Sequence, residues 1–217
     1  MAKTEIPPQG ARPLPEQPLT YEAFLDWLDE DTWAEWLDGK IVVLSPASEV
    51  HQELKGFLAT LLRRFVRRRR LGRVLDAPFQ VKLGPDLPGR EPDILFVSAD
   101  RQDRIRRHFF EGAPDLVVEI VSPDSRARDR GEKFYEYEQA GVREYWLIDP
   151  DRQQAEFYRL DDRGHYRPIG PDPDGIYRSE AVAGFWLAVD WLWQHPLPDE
   201  GEILTRLLGH DAGAISE

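Results

Sequence analysis

The chain has 217 residues, of which 41% are hydrophobic, enough to build one α/β core with extensions at its ends. It contains no cysteine, which excludes disulfides, thiolate metal sites and a cysteine nucleophile and suits a reducing cytoplasm. A formal net charge of −12 argues against indiscriminate attraction to nucleic acid, so any polyanion site must be a local patch. No run reaches the ~18 apolar residues of a membrane helix.

Residues 1–18 hold five of the eighteen prolines and almost no apolar side chains, which predicts a flexible extension. Thr20 can cap a helix carrying Phe24, Leu25 and Leu28 at helical spacing, with Tyr21 and Trp27 beside them. From Trp33 to Leu44, two apolar stretches flank Asp38-Gly39, a pair suited to the positive φ angles of a tight hairpin turn. Glu35 lies on or just before the first strand, where a solvent-facing side chain is the simpler expectation. After Ser45-Pro46, Ser48 can cap a long helix whose stripe is Val50, Leu54, Phe57, Leu58, Leu61, Leu62, Phe65 and Val66. His51 falls in its first turn, where a lone histidine more often covers the helix end than serves a site.

The second half of that helix carries Arg63, Arg64, Arg67, Arg68, Arg69 and Arg70, with Arg73 beyond Gly72, which is expected to end it. The helix dipole favours cations there, and a charge run is usually a solvated face. It is nevertheless the one place where this acidic chain could hold a nucleic-acid backbone. Strands follow at 73–75 and 79–83, the second including Gln80, with a break at Pro78. Glu91-Pro92-Asp93 leads into the buried run Ile94 to Val97, and Arg101, Arg104, Arg106 and Arg107 form a second basic cluster.

The run Leu116 to Val121 has the length and composition of a buried strand, interrupted only by Glu119. Burial strips a carboxylate of water, so such a residue needs a cation or hydrogen-bond donors. Asp129-Arg130-Gly131-Glu132 has the pattern of an N-cap with its acidic partner, which predicts a helix starting at Asp129, with Lys133 in its first turns and its end near Gly141. A central strand follows, leaving at Asp149-Pro150, then β segments at Ala155 to Leu160 and around Tyr166, Tyr177 and Leu187, and a short helix over Gly201 to Gly209. There is no internal repeat. A single domain over 19–193 is expected, with 194–217 as a C-terminal extension.

Glu35, Asp93 and Glu119 lie on or beside separate strands, and Lys133 follows the third. Carboxylates brought together in one cleft repel unless a proton or a divalent cation lies between them, and hard oxygen ligands suit Mg2+ or Mn2+. Such an ion can acidify a bound water and neutralise charge on a phosphate, while a nearby lysine holds either one, which fits phosphodiester hydrolysis. No phosphate loop, dinucleotide fingerprint or nucleophile elbow is present, and the five histidines lack metal-ligand spacing. Tyr135, Tyr137, Tyr145 and Trp146 read more simply as core or helix-packing aromatics than as a base-stacking platform.

Glu91-Pro92-Asp93 followed by Pro114-Asp115-Leu116-Val117-Val118-Glu119-Ile120-Val121-Ser122-Pro123 resembles the PD-(D/E)xK nuclease superfamily. More closely, it resembles the restriction-endonuclease-like Uma family, whose pattern continues through Asp129, Lys133, Tyr137 and Gly141-Val142-Arg143-Glu144-Tyr145-Trp146. The likeness spans about 19–193. It implies an α/β fold with a central mixed β-sheet flanked by helices, and metal ligation by Asp93 and Glu119. Glu35 corresponds to the acid of the family's Glu-x-x-Asp-Gly element and His51 to its helix-start histidine. Val121 stands where the superfamily's general pattern has a lysine, and in this family the lysine sits on the next helix, here Lys133.

The resemblance and the residues together imply a Mg2+- or Mn2+-dependent DNA endonuclease. Asp93 and Glu119 would hold the metal, Glu35 would complete its shell directly or through water, and Lys133 would orient or activate the attacking water. His51, Gln80 and Asp129 are auxiliary candidates, and Arg63, Arg64, Arg67, Arg68, Arg70 and Arg73 would position the DNA backbone. Cutting both strands with one site per chain would favour a homodimer. The competing expectation is a nuclease-like fold without cleavage that acts as a binding or interaction module.

Overall fold

The structure is a computed structural model that describes residues 14–15, 17–29, 32–43 and 47–209. Most of the expected Pro-rich extension, Ser45-Pro46 and the chain beyond Gly209 lie outside those residues. The first helix, α1 (Tyr21–Trp27), begins at Thr20, whose hydroxyl accepts the Ala23 N–H. Strands β1 (Ala34–Leu37) and β2 (Lys40–Val43) form the expected hairpin, with Asp38 and Gly39 at φ 47° and 85° in its turn.

Helix α2 (Glu49–Arg69) is capped by Ser48, which accepts the His51 N–H, and its stripe from Leu54 to Val66 is buried. Its end differs from expectation. Arg70, not Gly72, takes the left-handed cap conformation at φ 57°. Gly72 instead opens β3 (Gly72–Asp76), which runs so close to its neighbour that a β-carbon there would collide with the Val97 carbonyl.

The chain continues through β4 (Gln80–Lys82), β5 (Gly89–Arg90), β6 (Ile94–Ser98), a 3-10 turn at Ala99–Arg104, β7 (Phe109–Glu111) and β8 (Leu116–Ile120). The single helix predicted from Asp129 is two: α3 (Arg126–Arg130) and α4 (Glu132–Ala140). Gly131 separates them at φ −114° and ψ −96°, outside helical values, packed where a β-carbon would press on the Ala127 carbonyl. Asp129 is therefore no N-cap but a buried residue within α3. The remaining elements are β9 (Glu144–Asp149), β10 (Gln154–Leu160), β11 (Tyr166–Pro168), β12 (Ile176–Arg178), β13 (Trp186–Ala188), a 3-10 turn at Val189–Trp193 and α5 (Glu200–Gly209).

Two mixed sheets carry the architecture. The larger has strand order β11-β10-β9-β8-β6-β3, with β8 and β9 parallel and every other pair antiparallel. The second has order β2-β1-β5-β4-β7. Side chains of the larger sheet alternate as strands require. Ile94, Phe96, Val118, Ile120 and Trp146 pack with α2 and α5 on one face. Leu95, Val97, Val117, Tyr145 and Leu147 face Tyr137 of α4 together with Val81 and Phe110 of the second sheet. Glu119 shares the parity of Val117 and so belongs to this second layer. Tyr137, Tyr145 and Trp146 are core as expected, whereas Tyr135 is exposed.

Glu144, at the start of β9, is buried with no cation of a described residue within ion-pair distance, yet it is fully employed. Its carboxylate accepts from Trp146 Nε1, Tyr177 Oη, Ser179 Oγ and the N–H groups of Glu180 and Ala181. One side chain thereby ties the 177–181 segment to the central sheet.

Candidate active site

Glu119 sits in the middle of a fully buried strand and is 4% exposed. Its placement opposite α4 supplies the donors such a carboxylate needs. Lys133 Nζ lies 2.9 Å from Oε1, and Tyr137, one helical turn further along α4, donates its hydroxyl to the same oxygen at 2.8 Å. Lys133 also lies 3.2 Å from Glu35 Oε1 and 3.4 Å from Asp129 Oδ1, so one buried ammonium serves three carboxylates. Burial alone would lower the lysine's pKa, but Glu119, Glu35 and Asp129 outweigh it and push it well above the ordinary value. Lys133 is therefore a fixed cation. Burial pushes the Glu119 carboxyl up, Lys133 opposes that, and Asp129, Asp93 and Glu35 add to the rise.

Glu35 is not the solvent-facing strand residue that the sequence favours. Its strand β1 lies between β2 and β5, and the side chain is wholly buried. Oε2 pairs with Arg90 Nη1 at 2.9 Å, and Oε1 meets Lys133 and, at 3.4 Å, the Glu91 N–H. Burial acts to raise this carboxyl's pKa, yet Lys133, Arg90 and Arg128 hold it below the ordinary value. Arg90, itself buried, reaches on to Glu136 of α4 through Nε and Nη2 at 2.6 and 2.7 Å. The hairpin, β5 and α4 are thus locked together behind Lys133.

Asp93 stands at the entry of β6, where Oδ2 accepts the Ile120 N–H at 2.7 Å and lies 3.2 Å from His51 Nε2. The first bond fixes Asp93 to the end of Glu119's strand, and the second recruits the first turn of α2. Asp93 and Glu119 line one cavity of about 250 Å³, together with Glu91, Lys55, Arg128 and Lys133. Glu35 and Gln80 do not line it. Gln80 stands behind Glu91, donating to its Oε2 at 2.5 Å and to the Ala34 carbonyl at 2.9 Å. Burial and the charge of Glu35 push the Glu91 carboxyl up to about 7, against Gln80, Lys55 and Lys133.

Asp93 and Glu119 each use one oxygen within the protein, leaving Asp93 Oδ1 and Glu119 Oε2 without a donor among the described residues. Two hard oxygens at one cavity suit Mg2+ or Mn2+, which accept few protein ligands and keep water in the other positions. Among the described residues no three His, Asp or Glu side chains are gathered closely enough to enclose an ion. The donor set fits a metal held by two carboxylates and water.

The basic segment lies elsewhere. Arg63, Arg64, Arg67, Arg68 and Arg70 are exposed on the distal half of α2, and Arg67 is about 24 Å along the axis from His51 at 1.5 Å per residue. Arg73 is exposed on β3, and the Ala99 N–H donates to the Leu71 carbonyl at 2.9 Å, bringing the Arg101 to Arg107 segment beside this end of the helix. Several of these cations are already paired: Arg63 with Asp76, Arg101 with Asp115 and Arg106 with Glu111.

Lys55, Arg90 and Glu91 were not singled out as site residues in the sequence. Lys55 carries a weak signal, a lysine one turn after His51 inside an apolar stripe. Glu91 is the acid ahead of Pro92-Asp93. Nothing local marks Arg90, whose partners are 55 and 46 residues away.

A protein of Synechocystis sp., described only as uncharacterized, is 26% identical over 180 residues, covering 81% of this chain and 92% of its own length. A solved structure described as a putative nuclease belonging to DUF820, from Anabaena variabilis, superposes with a TM-score of 0.67 at 23% identity, covering 81% of this chain and 98% of that one. That likeness is one of fold. Among the described residues no helix is long and apolar enough to cross a membrane. The profile of the Uma2 family, described as "Putative restriction endonuclease", matches residues 21–190, and the chain belongs to that family of restriction-endonuclease-like proteins.

Proposed function

We propose that this protein is a divalent-metal-dependent endonuclease that hydrolyses DNA phosphodiester bonds in the cavity beside Asp93, Glu119 and Lys133. The observation that carries this is the convergence, from three separate elements, of two carboxylates with a free oxygen each and a lysine 2.9 Å from one of them. When bound there, Mg2+ or Mn2+ supplies polarisation of the phosphate and a more acidic water. The Ile120 N–H and His51 fix Asp93, and Lys133 and Tyr137 fix Glu119, so neither carboxylate must reorganise when it takes up its role. Lys133, held protonated, donates to the incoming water or to a phosphate oxygen and does not serve as the base. Glu35 and Asp129 act through Lys133 by holding its ammonium in place, a positioning role. The arginines of distal α2 would contact backbone phosphates away from the scissile one. A symmetric pair of chains would place one such site on each strand.

Supercoiled plasmid with Mg2+ or Mn2+ tests this. The wild type should nick or cut it, and Glu119→Gln and Asp93→Asn should lose both cleavage and Mn2+ binding measured calorimetrically. Cleavage at the wild-type rate in both variants would sink the assignment. The second reading, a nuclease fold that binds without cutting, is favoured by one feature: among the described residues no three His, Asp or Glu side chains gather closely enough to enclose an ion. It predicts a wild type that takes up no Mn2+.

A further inference from the structure

Lys55 projects from the second turn of α2 and is 7% exposed, yet no carboxylate of a described residue comes within ion-pair distance of it. Its recorded partners are the Ala77 carbonyl, 2.9 Å from Nζ, and the face of Trp33, whose centroid is 5.8 Å away. A buried ammonium has lost most of its hydration, and one carbonyl and one indole replace only part of it. The other basic side chains lining the cavity are differently placed. Lys133 is shared among three carboxylates, His51 lies 3.2 Å from Asp93, and Arg128 reaches Glu35 at 3.9 Å. Lys55 brings a positive charge and two further N–H donors to the same cavity that holds Asp93 and Glu119.

We propose that Lys55 binds the phosphate of the substrate, its ammonium docking on a non-bridging oxygen of the phosphodiester that enters the cavity. The assignment rests on the nuclease reading for its substrate, but the anion site itself does not. An ammonium is a compact point charge with rotatable donors, suited to a phosphate oxygen whose exact direction changes as the reaction proceeds. Attachment to α2 explains how the residue is held: Ser48 caps the helix, His51 of the same face grips Asp93, and Lys55 follows one turn later at the same wall. The phosphate is thereby held between a cation on α2 and the two carboxylates of the central sheet, which sets its distance from both.

The test compares full-length wild type, Lys55→Gln and Lys55→Arg. In plasmid cleavage with Mn2+, Lys55→Gln should lose about 10²-fold in kcat/KM, the scale for removing one charge-stabilising donor. Lys55→Arg should recover part of that loss, and Mn2+ affinity should be unchanged in both variants. A purely structural lysine would lower the unfolding temperature without this split between cleavage and metal binding. Lys55→Gln cleaving as the wild type does would overturn the proposal. Should the wild type not cleave at all, the nuclease reading fails, and the anion site is judged by inorganic phosphate alone. Millimolar phosphate should then raise the unfolding temperature of the wild type above that in chloride of equal ionic strength, and the rise should vanish in Lys55→Gln. An equal rise in Lys55→Gln, or none in the wild type, overturns the site. If Lys55→Gln does not fold, Lys55→Arg carries the comparison, with retained phosphate stabilisation expected and its absence decisive against the assignment.

Discussion

Replacing Lys133 with methionine keeps most of the side-chain volume and removes the one charge that Glu119, Glu35 and Asp129 share at 2.9, 3.2 and 3.4 Å. Removing one partner of a buried ion pair costs roughly 3–5 kcal/mol, chiefly because the remaining charge stays buried without compensation. Here three carboxylates are affected, but Glu35 retains Arg90 and Glu119 retains the Tyr137 hydroxyl, which moderates the loss. A destabilisation of about 4 kcal/mol is expected, a large part of the ~5–15 kcal/mol that holds a typical domain folded. Urea unfolding of the metal-free protein, followed by the fluorescence of its seven tryptophans, measures it. Lys133→Met combined with Glu119→Gln should recover part of the deficit, because one uncompensated charge is removed with the cation. Non-additivity of about 1 kcal/mol or more is the expected signature of residues in one network. Were Lys133→Met to unfold within 1 kcal/mol of the wild type, or the double variant to show strict additivity, the shared-cation account of this cluster would be wrong.

Two further outcomes follow from buried acids away from the cavity. Glu144→Ala strands five donors in the core and should cost more than ~3 kcal/mol, with protease nicking in the 177–181 segment reporting the loss of its anchor; indifference to Glu144→Ala would refute that anchoring role. Asp149 is buried against Arg126 and Arg130. Burial acts to raise its pKa, but hydrogen bonds from Arg126 and the Arg152 N–H, and the neighbouring cations, hold it below the ordinary value. Such a depressed carboxyl contributes stability above its unfolded pKa, about 3.9, and loses it as pH falls through the lower folded value. Asp149→Asn should therefore be less stable by roughly 1–3 kcal/mol at pH 7, and the gap should close towards pH 3; a gap that widens on acidification would reverse the sign of the effect.

Much of the secondary structure was legible because it is set by neighbours in sequence. Thr20 and Ser48 mark helix starts through a hydroxyl three residues from its N–H, and Asp38-Gly39 marks a hairpin through the φ angles that those residues tolerate. Where the local signals misled, a long-range contact had the deciding role. Gly72 resembles a helix stop, yet it is a glycine because β3 and β6 approach closely. Asp129 resembles a helix cap, yet Gly131 breaks the helix behind it, and its carboxylate turns to Lys133.

The sequence by itself determined that Glu119 would be buried within a strand, and its motifs placed Asp93 and Lys133 beside it as candidates, because burial and periodicity are encoded within a few residues. Only the tertiary structure decided what each acid does. Glu35 and Glu119 share a residue type and a strand context, but Glu35 is closed in between Arg90 and Lys133, while Glu119 keeps an oxygen free at the cavity. Lys55 and Lys133 likewise differ only in their surroundings, one facing a carbonyl and an indole, the other three carboxylates. The charge a side chain feels comes from groups dozens of residues away along the chain, and a Coulomb interaction depends on their distance in space.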